Sequence, residues 1–106
     1  MYVSIKTYRF GAGSMDGLMH RVDRDFADAI SMEPGFIGHQ AVATGADTLM
    51  SISLFGTLAD AERTSELAAR WVAEDLADFE IEPTTAVTGE VMVSRTAVTL
   101  LEPTHH

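Results

Sequence analysis

Ser31 to Phe55 reads SMEPGFIGHQAVATGADTLMSISLF, and the architecture follows from how that run divides. Pro34 disfavours helical geometry in Glu33, and Gly35 permits the turn that drops Phe36 toward a core, so a helix arriving from the N-terminal side stops here. Beyond it, Phe36 to Ala43 and Thr48 to Phe55 are runs of β-forming residues. Between them lies Thr44-Gly45-Ala46-Asp47, a length and composition suited to an antiparallel hairpin. The join is a helix handing over to two paired strands.

Outward from this hairpin the remaining elements fall into place. Met1 to Phe10 alternates, with Val3 and Ile5 on one face and Tyr2, Tyr8 and Phe10 on the other, and is a first strand. After GAGS, Ser14 is placed to cap a helix whose apolar face is Met15, Leu18, Met19, Val22, Phe26, Ala29 and Ile30. Thr57 with Asp60 resembles a capping arrangement for a second helix, striped by Ala61, Ala68, Val72, Leu76 and Phe79, with Glu66 and Arg70 spaced to pair on its wet side. Pro83 closes the next connection, and Val87 to Arg95 is a last strand that TAVTLL can extend. The whole of 1–106 is one domain by length, with a core over 2–95 and a C-terminal extension over 96–106.

The order βαββαβ predicts an α+β, ferredoxin-like domain: a four-stranded antiparallel sheet, in the order four-one-three-two, with both helices on one face. Neither sheet face is predicted to be polar. Ile37, Ala41 and Ala43 oppose Phe36 and Val42, and Ile52 and Leu54 oppose Leu49 and Phe55. A sheet apolar on both sides must cover its bare side, and a second copy is the economical cover. The 46% hydrophobic content, high for so small a chain, agrees with a homodimer.

Charge removes other classes. With 7 basic against 16 acidic residues the formal charge is −9, which repels nucleic acid and anionic membranes. The absence of cysteine excludes disulfides, thiolate nucleophiles and sulfur-ligated zinc. The opening MYVSIKTYRF has no basic leader ahead of an apolar core, and no segment reaches the roughly 18 apolar residues of a membrane span, so the expected location is the cytoplasm.

At this point MEPGFIGHQAV, TLMSISLF, the lone Trp71 in AARWVAEDL, and TGEVMV together resemble the dimeric α/β-barrel superfamily, and within it proteins similar to antibiotic biosynthesis monooxygenases. The likeness runs from about Tyr2 to Arg95 in order and spacing. It implies a homodimer with sheets packed face to face and a ligand cavity in each subunit between helices and sheet. It also implies oxygenation of aromatic phenols without metal or flavin, through the electron-rich carbanion of the substrate. Of the asparagine, tryptophan, tyrosine and arginine associated with that pocket, only Trp71 carries across, and the chain has no asparagine. Heme-degrading relatives use an asparagine and an iron-ligating histidine near the second helix, where this chain has neither, so no cofactor is expected.

Within that frame His39, Lys6 and Glu90 are the candidate catalytic residues, and Trp71, Ser53, Phe26 and Met19 the candidate ligand-binding ones. If Lys6, His39, Ser53 and Glu90 share the cavity face, they can take a proton from a phenol and hold the resulting anion. The competing readings are a Lys6–Glu90 cross-strand ion pair and a hydrogen-bonded structural His39. Trp71, about 80° from the centre of its helix stripe, either roofs the cavity mouth or packs against the C-terminal segment or a second subunit. Met15, Met19, Phe26, Met50, Leu54 and Phe79 are the expected pocket wall, and His20, Arg21 and Arg24 the solvated side of the first helix. His20 and His39 lack carboxylates at ligand spacing, so no metal site is expected. His105 and His106 have the look of the start of a purification tag. The expected function is a monooxygenase-like protein binding a small hydrophobic aromatic molecule; the alternative is a non-catalytic, ligand-binding or stress-related dimer.

Overall fold

A computed structural model describes residues 1–95. The order is β1 (Tyr2–Phe10), α1 (Met15–Arg21), a π-helical stretch (Val22–Ala27), α2 (Asp28–Ser31), β2 (Phe36–Ala43), β3 (Thr48–Phe55), α3 (Leu58–Asp75), a 3-10 turn (Ala77–Phe79) and β4 (Ile81–Glu90). The strands form one antiparallel sheet in the order β2-β3-β1-β4. This is the ferredoxin-like βαββαβ arrangement expected from the sequence. His105 and His106, with the rest of 96–106, lie outside the described residues.

Both helix starts follow from their caps. Ser14 Oγ accepts from the Gly17 amide at 3.1 Å, and Thr57 Oγ1 from that of Asp60 at 3.1 Å, each satisfying an amide with no partner inside the helix. The Asp60 carboxylate turns outward to Arg63 at 2.7 Å, so only half of a capping box forms. Gly35 has φ +79, the left-handed geometry that releases the chain into β2.

Segments α1, π stretch and α2 run on as one rod, and the π stretch was not foreseen. Leu18, Val22, Phe26 and Ile30 recur every four residues and are all buried. At about 100° per residue an α-helix would carry Ile30 about 120° away from Leu18. The wider π turn rotates less per residue and holds all four on the core side.

The helix-facing side of the sheet carries Ser4, Tyr8, Phe10, Leu49, Ser53 and Phe55, all buried. The far side is largely apolar: Ile5 stands opposite Ile52 and Val87, Val3 opposite Leu54, and Met50 opposite Val42, with Gln40 and Thr7 as polar interruptions. Met50 and Leu54 therefore cannot wall a pocket beneath the helices.

Two register shifts correct the strand reading. One lies between Phe36 and Gly38, so Phe36 pairs Phe55 on the helix side and His39 pairs Ser53 on that same side. Ile37, 53% exposed, does not share the face of His39. The other lies between Thr7 and Tyr8, whose partners are Thr85 and Pro83. Strand β4 thus begins at Ile81 rather than Val87, with Pro83 inside it. An edge strand beside a bulge is where a strand tolerates a residue that cannot donate to the ladder. No helix among the described residues is long and apolar enough to cross a membrane.

Candidate functional site

Between the sheet and α3 lies a partly open cavity of about 40 Å³. Its walls are largely apolar, from Val22, Phe26, Leu49, Phe55, Ala68, Trp71 and Leu76, with Ser4, Ser51, Ser53, Thr64 and Lys6 supplying polar atoms. Room for one water takes roughly 10–15 Å³ on this measure, so the space as it stands admits about three waters, and a ring-sized ligand requires its walls to move apart. Thr64 is 3% exposed, and its Oγ1 is buried without a hydrogen-bond partner among the described residues.

Lys6 is the only lysine in the chain. It is directed to the helix side by the β1 alternation, and its Nζ donates to the Ser65 carbonyl of α3 at 2.8 Å. Its partial burial lowers its pKa. Lys6, Tyr8, Ser65, Val72 and Ile81 line both this cavity and a second, more open space of about 520 Å³, so they form the wall between the two. That groove runs along α3 and β4, over Glu66, Ala69, Ala73 and residues 83–86.

Trp71 and Phe26 cover the other end. Their ring centroids are 4.9 Å apart, and Phe26 in turn meets His39 edge-on at 5.5 Å. Phe26 reaches both partners from the π stretch. Trp71 lines the cavity and also a cleft of about 280 Å³ on the outer surface between the helices, the position of a roof. His39 Nδ1 lies 3.0 Å from Ser53 Oγ, while Nε2 is buried without a hydrogen-bond partner among the described residues. Burial lowers the His39 pKa and favours the neutral imidazole.

Lys6, Ser53, Phe26 and Trp71 therefore meet around one cavity, with His39 behind Ser53. Glu90 is not brought to them. It stands opposite Tyr2, four residues from Ala86, which pairs Lys6, and it is exposed; no Lys6–Glu90 ion pair exists among the described residues. Met19, with Met15 and Phe79, packs against the hydrophobic core without lining the cavity. Arg21 is not a solvated residue, since its Nη2 donates to the Asp75 carbonyl at 2.5 Å and ties the first helical rod to the end of α3. Sequence reasoning missed Ser4, Thr64 and Tyr8. The buried phase of β1 pointed to Tyr8 and Ser4, whereas a threonine among the polar residues of α3 gives no such signal.

No protein-family model matches the chain, and no curated protein sequence matches it. Solved structures do match. The heme-degrader MhuD from Mycobacterium tuberculosis, with two hemes bound in its active site, superposes with a TM-score of 0.69 at 19% identity, covering 91% of this chain and 100% of that one. A dimeric ferredoxin-like protein from an uncultured marine organism gives 0.68 at 12% identity, covering 91% and 98%. The NE2512 protein of unknown function from Nitrosomonas europaea gives 0.68 at 14% identity, covering 91% and 94%. At these identities the likeness is one of fold, and it extends over nearly the whole of each chain: the domain is a ferredoxin-like α+β domain of the kind these proteins share.

Proposed function

We propose that the chain binds a small hydrophobic, aromatic molecule between α3 and the sheet and acts on it as a cofactor-independent monooxygenase, working as a cytoplasmic homodimer. One observation carries the reading: Lys6, Ser53 and Thr64, with Ser4, Ser51 and Ser65, line a space otherwise walled by aromatic and aliphatic side chains. Apolar pockets with a few convergent polar groups are where small molecules bind. The apolar ladder of Ile5, Ile52, Val3, Leu54 and Val87 on the bare side of the sheet supports the dimer.

In this reading the substrate loses its proton to solvent, the Lys6 ammonium holds the resulting anionic oxygen, and Ser53 donates a hydrogen bond to it. The carbanion form of the substrate then reacts with dioxygen. A ring methylene becomes a ring carbonyl; one oxygen atom enters, and the two hydrogens leave with the other as water.

MhuD binds heme, but the residues here do not suit one. The nearest imidazole, His39, faces Phe26 and Ser53 and is not among the cavity-lining residues. No step is assigned to a metal.

Oxygen uptake with a panel of anthrone-like and quinol substrates tests the activity. Turnover that falls on Lys6→Met and Ser53→Ala supports it. Binding of the same compounds with no turnover by any of these proteins leaves the non-catalytic binding dimer as the correct reading.

A further inference from the structure

The groove outside the cavity has its own chemistry. It offers about 520 Å³ between α3 and the β1–β4 edge, within the range of small-molecule sites, and its walls are mainly Ala69, Val72, Ala73, Ile81, Pro83 and Ala86. Its one cationic lining residue is Lys6. The ion pairs among the described residues join Arg21 and Arg24 to Asp25, and Arg63 to Asp60; none takes Lys6. In a chain with 16 acidic residues and 7 basic ones, the single lysine lines a largely apolar groove, and its partner among the described residues is a neutral carbonyl. An ammonium so placed retains unused donors, and a charge-assisted bond to an anionic oxygen is its strongest available contact.

We infer that this groove is a binding site for an amphipathic monoanion, whose apolar body lies along α3 and β4 and whose single carboxylate or phenolate oxygen meets Lys6 Nζ. This goes beyond the proposed function rather than resting on it: the groove shares Lys6, Tyr8, Ser65, Val72 and Ile81 with the cavity but is lined by none of Ser53, Thr64 and Trp71, so it is a second site outside the cavity. One negative charge is also the limit. Glu66 lines the groove, and the chain carries a formal −9, so a dianion meets repulsion that a monoanion offsets at Lys6.

Calorimetric titration with naphthoate, with neutral naphthylmethanol of matched shape, and with naphthalene dicarboxylate tests this on the wild-type chain, Lys6→Met and Ala69→Phe. Ala69 is exposed on α3, so the phenyl ring fills the groove without disturbing the core. The wild type is expected to bind naphthoate at least about tenfold more tightly than naphthylmethanol, the scale on which losing one partner of a desolvated charge pair is felt. The dicarboxylate binds more weakly than naphthoate. Lys6→Met brings naphthoate down to the level of naphthylmethanol, and Ala69→Phe weakens both. A naphthol series of falling phenol pKa, run beside naphthoate, distinguishes phenolate from carboxylate as the preferred head.

If Lys6→Met does not fold, acylation of the sole lysine by an activated ester replaces it: naphthoate slows the reaction and naphthylmethanol does not. Equal wild-type affinity for naphthoate and naphthylmethanol overturns this inference and leaves aromatic binding standing. So does unaltered naphthoate affinity in Ala69→Phe, which puts the ligand elsewhere. Absence of binding by every probe at millimolar concentration overturns both readings.

Discussion

His39 and Ser53 face each other across the β2–β3 ladder, and a 3.0 Å hydrogen bond joins Nδ1 to Oγ. Burial lowers the His39 pKa below its ordinary value of 6.5. The unfolded chain therefore takes up a proton at higher pH than the folded one. Stability is complete above pH 6.5 and is lost as pH falls toward the folded value. Denaturant midpoints measured down the acid side should fall for the wild type and fall less for His39→Gln. Parallel curves for the two proteins would mean that His39 is as easily protonated folded as unfolded.

The far side of the sheet supplies the next expectation. Ile52 sits between Ile5 and Gln40 in the ladder, at the middle of the apolar surface proposed to meet a second copy. Ile52→Glu places an unpaired charge there, at a cost on the order of 3 kcal/mol or more. That is about a hundredfold or more in dimer affinity. Light scattering should show the wild type at twice 11.5 kDa and the variant at 11.5 kDa with its circular dichroism retained. A wild-type monomer at micromolar concentration would refute the dimer.

Gly35 is the hinge between helix and hairpin, and a methyl group there would meet the Asp60 carboxylate as well as the strain of φ +79. Gly35→Ala is expected to lose about 1–3 kcal/mol from the backbone alone, plus the steric term. Pairing it with Asp60→Ala should recover the steric part and not the strain. Full recovery in the double variant would show that the left-handed geometry is not what Gly35 supplies.

Much of this was legible in the residues. The Pro34-Gly35 stop, the four-residue hairpin loop and both capping residues are local signals, and local chemistry set the ends of β2 and β3. Features fixed by distant partners were not. The shift beside Ile37 depends on how Phe36 meets Phe55, and it alone decides that Phe36 and His39 share a face. The π stretch is invisible because spacings of three and four fit an α-helix as well. In β4 the polar run from Glu82 to Thr85 with its proline reads as a connection, and only pairing with β1 makes it a strand. The same limits governed the site: parity along the strands left open which face carries Lys6, His39 and Glu90, and only the pairing register puts Lys6 under α3 and keeps it apart from Glu90.

The two aromatic neighbours of Phe26 separate a structural role from a ligand-facing one. His39 touches Ser53 and the edge of Phe26, and does not line the cavity; Trp71 lines the cavity and the outer cleft, half-exposed between them. Removing the imidazole forfeits one hydrogen bond, worth about 0.5–1.5 kcal/mol, and an aromatic contact of about 0.5–1.5 kcal/mol. Removing the indole opens the roof against which a ligand would lie. His39→Ala should therefore lower the unfolding midpoint while leaving the affinity for an aromatic probe within about threefold, less than the tenfold that 1.4 kcal/mol represents. Trp71→Ala should weaken that affinity by about tenfold or more. Because Trp71 is the single tryptophan, its fluorescence in the wild type reports the same contact directly, and aromatic ligands should quench it. An activity lost in His39→Ala and kept in Trp71→Ala would reverse the order, and would make the imidazole behind Ser53 the centre of the chemistry.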